Sequence, residues 1–243
     1  MASCLVCLHG FTHTGASWGP VVRSLPRRYR VLAPDIRGHG SAAELRPASL
    51  AGVIGDVAGL APAEFDLCGY SMGGRLALHV ALAVGPRVKR LSLIGASPGL
   101  AEANERAARL RADEQLAKSI ERMTIAQFAR QWAETPVLAG LSEELVAAVD
   151  EDRRRNTTPG LAAALRGLGT GALPSLWERL SELEVPVTLI AGERDHKFVA
   201  IAKQMTGLIP DARLEVVPGA GHAVHLEAPD VVAAILSRRS AEG

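Results

Sequence analysis

Phe65-Asp66-Leu67-Cys68-Gly69-Tyr70-Ser71-Met72-Gly73-Gly74-Arg75 decides how the rest of the chain is read. A short apolar run, Phe65–Gly69, leads into a serine flanked on both sides by glycine at the second position. Beyond the serine, Met72–Val84 has helical spacing, with Leu76, Val80 and Ala83 recurring on one face. A strand that turns into a helix at one serine needs small neighbours. Glycines let the backbone reverse without Cβ clashes and hold Ser71 strained and exposed. Five-residue matches of the form G-x-S-x-G arise by chance, so the strand before and the helix after give this one its weight.

Working outward, the first half alternates strand-like and helix-like segments. Cys4–Leu8, Arg30–Pro34 and Arg90–Gly95 read as further strands, as do Val185–Ala191 and Leu214–Pro218 near the far end. Lys197–Leu208 and Ala223–Arg238 read as helices. Such alternation predicts an α/β fold, a mostly parallel sheet with helices on both faces. Right-handed crossovers then put all strand C-termini on one edge, where ligands of such sheets bind. Pro98–Leu180 breaks the alternation. It contains helix-like pieces at Ala103–Met123, Ile125–Ala133, Glu143–Arg154 and Leu161–Leu168, and enters after one strand and leaves before the next. The expectation is one domain over residues 1–243 with a helical lid inserted at 98–180, too small to bury much core alone.

The serine turn in this context resembles the α/β-hydrolase family. A serine hydroxyl needs a base, and the base an orienting acid. In this family they follow in the order serine, acid, histidine. Asp195, in Ala191-Gly192-Glu193-Arg194-Asp195, and His222, in Pro218-Gly219-Ala220-Gly221-His222, each follow a strand and fill those places. Glu193 is a rival acid with less loop to reach the histidine. His225 starts the next helix, and His196 follows Asp195 directly and points away from it. His9, His39, His79 and His225 are read as structural or substrate-contact residues, and Pro34–Gly40 as a structural loop. The resemblance implies an oxyanion hole made by the amides of Phe11, after the first strand, and Met72. The antiparallel hairpin that often opens this fold is not expected.

Within that family the chain is similar to the 2-succinyl-6-hydroxy-2,4-cyclohexadiene-1-carboxylate synthases of menaquinone biosynthesis. The resemblance rests on Gly69–Arg75, Pro98-Gly99-Leu100 leading into Glu105–Arg109, Trp132-Ala133-Glu134-Thr135-Pro136-Val137, Arg153 ahead of Asn156 and Gly160-Leu161-Ala162, and Gly192–Phe198. It implies a lyase that eliminates pyruvate from 2-succinyl-5-enolpyruvyl-6-hydroxy-3-cyclohexene-1-carboxylate. It also implies that Arg75, Arg109 and Arg153 hold the substrate carboxylates, with Tyr70 and Trp132 lining the pocket, and that Ser71 acts as a general base. The residues alone support Arg75. A cation in the first turn of a helix opposes its dipole, at a cost of roughly 0.3–1 kcal/mol, and so calls for an anionic partner. Arg109 and Arg153 stand among 11 Lys/Arg and 12 Asp/Glu of the lid, where Arg106, Arg111, Arg154 and Arg155 are rivals.

The 243 residues are 48% hydrophobic and 22% charged with net charge +1, which suits a large core and gives no basic field for nucleic acid. Cys4 and Cys7 have C-x-x-C spacing inside a strand, where residues three apart face opposite ways, so they read as two buried side chains and not a redox pair. No zinc-like cluster or phosphate loop is present, so neither metal nor organic cofactor is expected. No apolar run approaches the roughly 20 residues of a membrane span, and no secretory signal is visible. The expectation is a cytoplasmic monomer or weak dimer acting on a small polycarboxylate, with no nucleic-acid or membrane partner. A serine carboxylesterase, a carbon–carbon-bond hydrolase and a non-catalytic receptor of the same fold are the competing readings.

Overall fold

The computed structural model describes residues 3–135 and 140–238. Pro136 and Val137 of the tryptophan motif, and the chain ends assigned to the single domain, lie outside the described residues. Six parallel strands form one sheet: β1 Ser3–Leu8, β2 Tyr29–Leu32, β3 Phe65–Tyr70, β4 Val88–Ile94, β5 Val187–Gly192 and β6 Ala212–Val217, in the order β2-β1-β3-β4-β5-β6. The order reverses between β1 and β3, so a crevice opens beyond the carboxyl ends of those two strands. The register pairs Leu8 with Gly69, Tyr70 with Ile94 and Gly192 with Val217, which brings the strand ends level along one rim.

Residues of β1 alternate between two cores. Cys4, Val6 and Leu8 pack toward α2 Leu50–Leu60, α3 Met72–Val84 and α8 His196–Thr206. Leu5 and Cys7 pack toward α1 Gly19–Ser24, α9 Val224–Glu227 and α10 Pro229–Ser237. Cys4 and Cys7 therefore sit in different layers, and all three cysteines are free and buried. Burial on both sheet faces explains why the strands read as continuous apolar runs.

The segment between β4 and β5 holds α4 Ala103–Ile120, α5 Ile125–Ala133, α6 Glu143–Arg153 and α7 Thr158–Leu168. α4 and α5 join α7 in a small core of Ala117, Ile120, Phe128, Leu161, Ala162 and Leu165. Two helices were not anticipated from the sequence, α1 and α2. α1 has only six residues, fewer than two turns. α2 carries Gly52, Gly55 and Gly59, and only Val53 and Val57 are buried, so its apolar stripe is faint. Its one clear signal is Ser49, whose hydroxyl accepts from the Gly52 amide at 3.2 Å. The helix expected over Ala223–Arg238 is two helices. Ala228 leaves helical geometry (φ −139°, ψ 58°) because the ring of Pro229 disfavours it in the residue before.

Candidate active site

Ser71 sits between β3 and α3 with φ 52° and ψ −110°, a left-handed conformation that a non-glycine residue adopts only at a cost. The surrounding structure holds it there. The Ser71 amide donates to Ile94 O at 2.8 Å, and Ser71 O accepts from the Arg75 amide at 3.1 Å. A Cβ on Gly73 would lie 2.2 Å from Leu8 O, so only glycine lets α3 start so close to β1.

The three residues proposed as a relay come together from three strand ends. His222 Nδ1–H donates to Asp195 Oδ2 at 2.6 Å, and Ser71 Oγ–H donates to His222 Nε2 at 3.1 Å. Asp195 also caps α8, accepting from the Phe198 amide at 3.5 Å. The rival acid is occupied elsewhere: Glu193 Oε2 accepts from the Gly219 amide at 2.9 Å. Room for the imidazole comes from Gly95 (φ 53°), whose absent Cβ would lie 2.9 Å from His222 Cε1. Phe198 packs against the same imidazole, ring centroids 4.6 Å apart. His9 donates from Nδ1 to Gly10 O and accepts at Nε2 from the Ile36 amide, both at 2.9 Å. It thus ties the end of β1 to the next loop, and burial lowers its pKa to about 4. His225 lies in α9, fully buried, with its ring 4.2 Å from that of Tyr70.

A cavity of about 490 Å³ opens beside Ser71 and His222. Phe11 and Met72 line it, and among the described residues their amides donate to no protein acceptor. Arg75, Arg109 and Trp132 line it too. Arg75 is 7% exposed. Its Nη1 donates to Thr170 Oγ1 at 2.8 Å and its Nη2 to Leu168 O at 3.1 Å, while Nε has no partner among the described residues. No carboxylate pairs with it among the described residues. Burial lowers its pKa to about 10, and the neighbouring Arg109 adds to the effect. Arg109 is half-exposed and shares its charge with Asp113 at 2.7 Å. Trp132 meets the Phe11 ring edge-on at 5.3 Å.

Tyr70 and Arg153 are placed differently. Neither is among the residues lining this cavity. Tyr70 is buried beneath the rim between His222 and His225, and burial raises the pKa of its phenol. Arg153 is 1% exposed, donating from Nε to Thr12 Oγ1 and from Nη1 to Ala129 O, both at 3.3 Å, and Nη2 has no partner among the described residues. Burial lowers its pKa. Its rivals turn outward: Arg154 pairs with Asp150 and Arg155 with Glu151, each one helical turn back. Sequence reasoning quoted Lys197 and Phe198 without naming them as site residues and passed over Thr170 and Trp177; all four line the cavity. Lys197 and Phe198 directly follow the acid loop, which was the available signal. No group of three or more His, Cys, Asp or Glu able to hold a metal occurs among the described residues.

The profile of the alpha/beta hydrolase family matches residues 5–235. The chain is 38% identical to a Bacillus subtilis (strain 168) protein provisionally named 2-succinyl-6-hydroxy-2,4-cyclohexadiene-1-carboxylate synthase, covering 96% of this chain and 88% of that one. It is 34% identical to the Enterobacter sp. (strain 638) protein named as the same synthase, over 96% and 90% of the two chains. The solved structure of MenH from S. aureus superposes with a TM-score of 0.91 at 30% identity, over 97% of this chain and 92% of that one.

Proposed function

From the premise that the chain belongs to the alpha/beta hydrolase family and, within it, to the 2-succinyl-6-hydroxy-2,4-cyclohexadiene-1-carboxylate synthases, lyases of menaquinone biosynthesis, we propose how its residues carry out the elimination of pyruvate. The substrate is 2-succinyl-5-enolpyruvyl-6-hydroxy-3-cyclohexene-1-carboxylate. It carries several carboxylates, and its conversion to a 2,4-diene removes one ring proton and the substituent at C5 without water.

Ser71 Oγ takes the proton at C2 as its own hydroxyl proton passes to His222 Nε2. Asp195 holds the imidazole in the tautomer that can accept it and offsets its charge. The electron pair moves onto the succinyl carbonyl oxygen, where the Phe11 and Met72 amides donate to the enolate. It then returns through the ring as the C5–O bond breaks. The proton on His222 leaves with the enolpyruvate, which is released as pyruvate. Asp195, His222 and Ser71 thus act as a relay to a base, and no acyl group is formed.

One observation carries the reading: among the described residues Arg75 is a buried cation with no carboxylate partner, in the cavity that Ser71 lines. A buried charge left unpaired is costly, and an anionic ligand supplies the partner. Arg109 and Lys197 add cationic character to the same cavity, and Trp132 and Phe11 give the ring an apolar wall. Arg153, which does not line the cavity, bears on it in this reading only through its bond to Thr12 in the Phe11 loop. The helical segment 98–180 acts as the lid. In this reading the protein works in the cytoplasm, as a monomer or weak dimer; its three free cysteines suit a reducing compartment. Among the described residues no helix is long and apolar enough to cross a membrane. Supplying the purified protein with the enolpyruvyl substrate, and separately with p-nitrophenyl esters, tests the reading. Pyruvate release with little ester hydrolysis is the expected result. Ester turnover without pyruvate release would make it a carboxylesterase.

A further inference from the structure

The loop that carries the Phe11 amide does not hold itself in place. Its own backbone contributes one hydrogen bond, from the His13 amide to Gly10 O at 3.2 Å. Thr12 sits at φ 71°, in the left-handed region that a β-branched residue adopts only when its surroundings force it. Those surroundings are the C-terminal end of α6, more than 130 residues away in the chain. Asn156 donates from Nδ2 to Thr12 O at 2.8 Å and to Arg153 O at 3.0 Å. Its Oδ1 accepts from the Gly40 amide at 3.0 Å. Asp152 Oδ2 accepts from the Thr14 amide at 3.0 Å and from His13 Nδ1–H at 3.2 Å, and its Oδ1 accepts from the Thr14 hydroxyl. Both residues are buried. Burial alone would raise the pKa of Asp152, yet the bonds from His13 and Thr14 bring it below the usual value.

We propose that Asn156 and Asp152 are positioning residues that hold Phe11–Thr14 in the shape that aims the Phe11 amide into the cavity. The proposal rests on the assignment of that amide to the oxyanion hole. The lid then does more than cover substrate. It completes the half of the hole that the first strand cannot fix, while the half at Met72 is fixed by the serine turn itself. A bond lost at Thr12 lets the loop relax toward an ordinary backbone conformation and swings the neighbouring amide away from the developing charge.

The test uses two readouts: pyruvate release, and the rate at which a fluorophosphonate phosphonylates Ser71. The second needs the hole and the relay but not the natural substrate. Asn156→Ala should lower kcat and the phosphonylation rate together by about 30-fold or more, approaching the loss of an oxyanion donor, with KM changed by less than about three-fold. Thr12→Gly, added to Asn156→Ala, should recover at least about five-fold of the loss, because glycine adopts the left-handed conformation freely. A folded Asn156→Ala protein with both rates within about three-fold of wild type overturns the proposal. So does a fall in kcat with phosphonylation unchanged, which would put Asn156 on the substrate and not on the loop. If Asn156→Ala does not fold, Asp152→Asn is read by the same criteria, and failure of both to fold makes the contacts merely structural and overturns the proposal. A wild-type protein that is phosphonylated but releases no pyruvate would refute the elimination reading and leave the loop's test standing.

Discussion

Ser71, half-buried at the cavity, and Arg153, fully buried behind it, are fixed by the chain in opposite ways. At the rim of the sheet, backbone decides. Ser71 is strained between a strand and a helix, and Gly73 and Gly95 are glycines because a Cβ would strike Leu8 O or His222. In the helical segment, side chains decide. Arg153 and Asn156 are ordinary helical or turn residues whose bonds reach distant loops. Arg75 lies between the two cases, placed by the rim but held by Thr170 and Leu168 of the segment. The relay is therefore built on the sheet rim, and the side chains that hold Arg75 and the Thr12 loop are built on the insert.

Ser71→Ala gives the largest effect and tests the rim. Pyruvate release should fall by about 10⁴-fold, as for loss of a triad member, with the thermal unfolding midpoint little changed. Activity within about ten-fold of wild type would remove Ser71 from the chemistry.

The contrast between the regions also explains what the sequence could tell. The serine turn, the order of strands along the chain and the loop positions of Asp195 and His222 are legible because backbone geometry restricts which residues can stand there. Cys4 and Cys7 fall in opposite layers for the same reason, the two-residue period of a strand. Arg153 could not be separated from Arg154 and Arg155 by pattern alone, because three adjacent arginines at a helix end differ only in which way each points. Asp152 and Asn156 escaped notice as loop holders, since their partners lie more than 130 residues away. α2 was missed because three glycines blur its apolar stripe.

Acid should expose a cost stored under the rim. Burial lowers His9 to about 4 and places His39 and His225 well below their ordinary value. Each is neutral in the folded protein and takes up a proton on unfolding. Their contribution is present in full above about pH 6.5 and declines as pH falls toward 4, by up to about 1.4 kcal/mol per pH unit for each group. Urea unfolding followed between pH 7 and 5 should show the midpoint falling. Replacing His225 by Phe should flatten the slope, and an unchanged slope would show that His225 is charged or solvated in the folded state.

Arg75 should act on binding more than on turnover. Arg75→Ala should raise KM about 10- to 100-fold, the worth of one or two charged hydrogen bonds. Arg109→Ala should do less, because Asp113 already shares that charge. Equal effects for the two arginines would contradict the burial argument.

The smallest effect lies away from both regions. Gly55 on α2 has open space where a Cβ would stand, so Gly55→Ala should stabilise the protein by about 0.5–1 kcal/mol without altering activity. Gly73→Ala should do the reverse and lower both stability and activity. A tolerated Gly73→Ala would break the claim that backbone contacts fix the rim.

Whether Ser71 is a base or a nucleophile is read most directly from the mass of the intact protein, quenched during steady turnover of the enolpyruvyl substrate. The account predicts unmodified protein throughout, with one pyruvate formed for each substrate consumed. A Ser71 adduct that builds up and decays at the rate of turnover would contradict it.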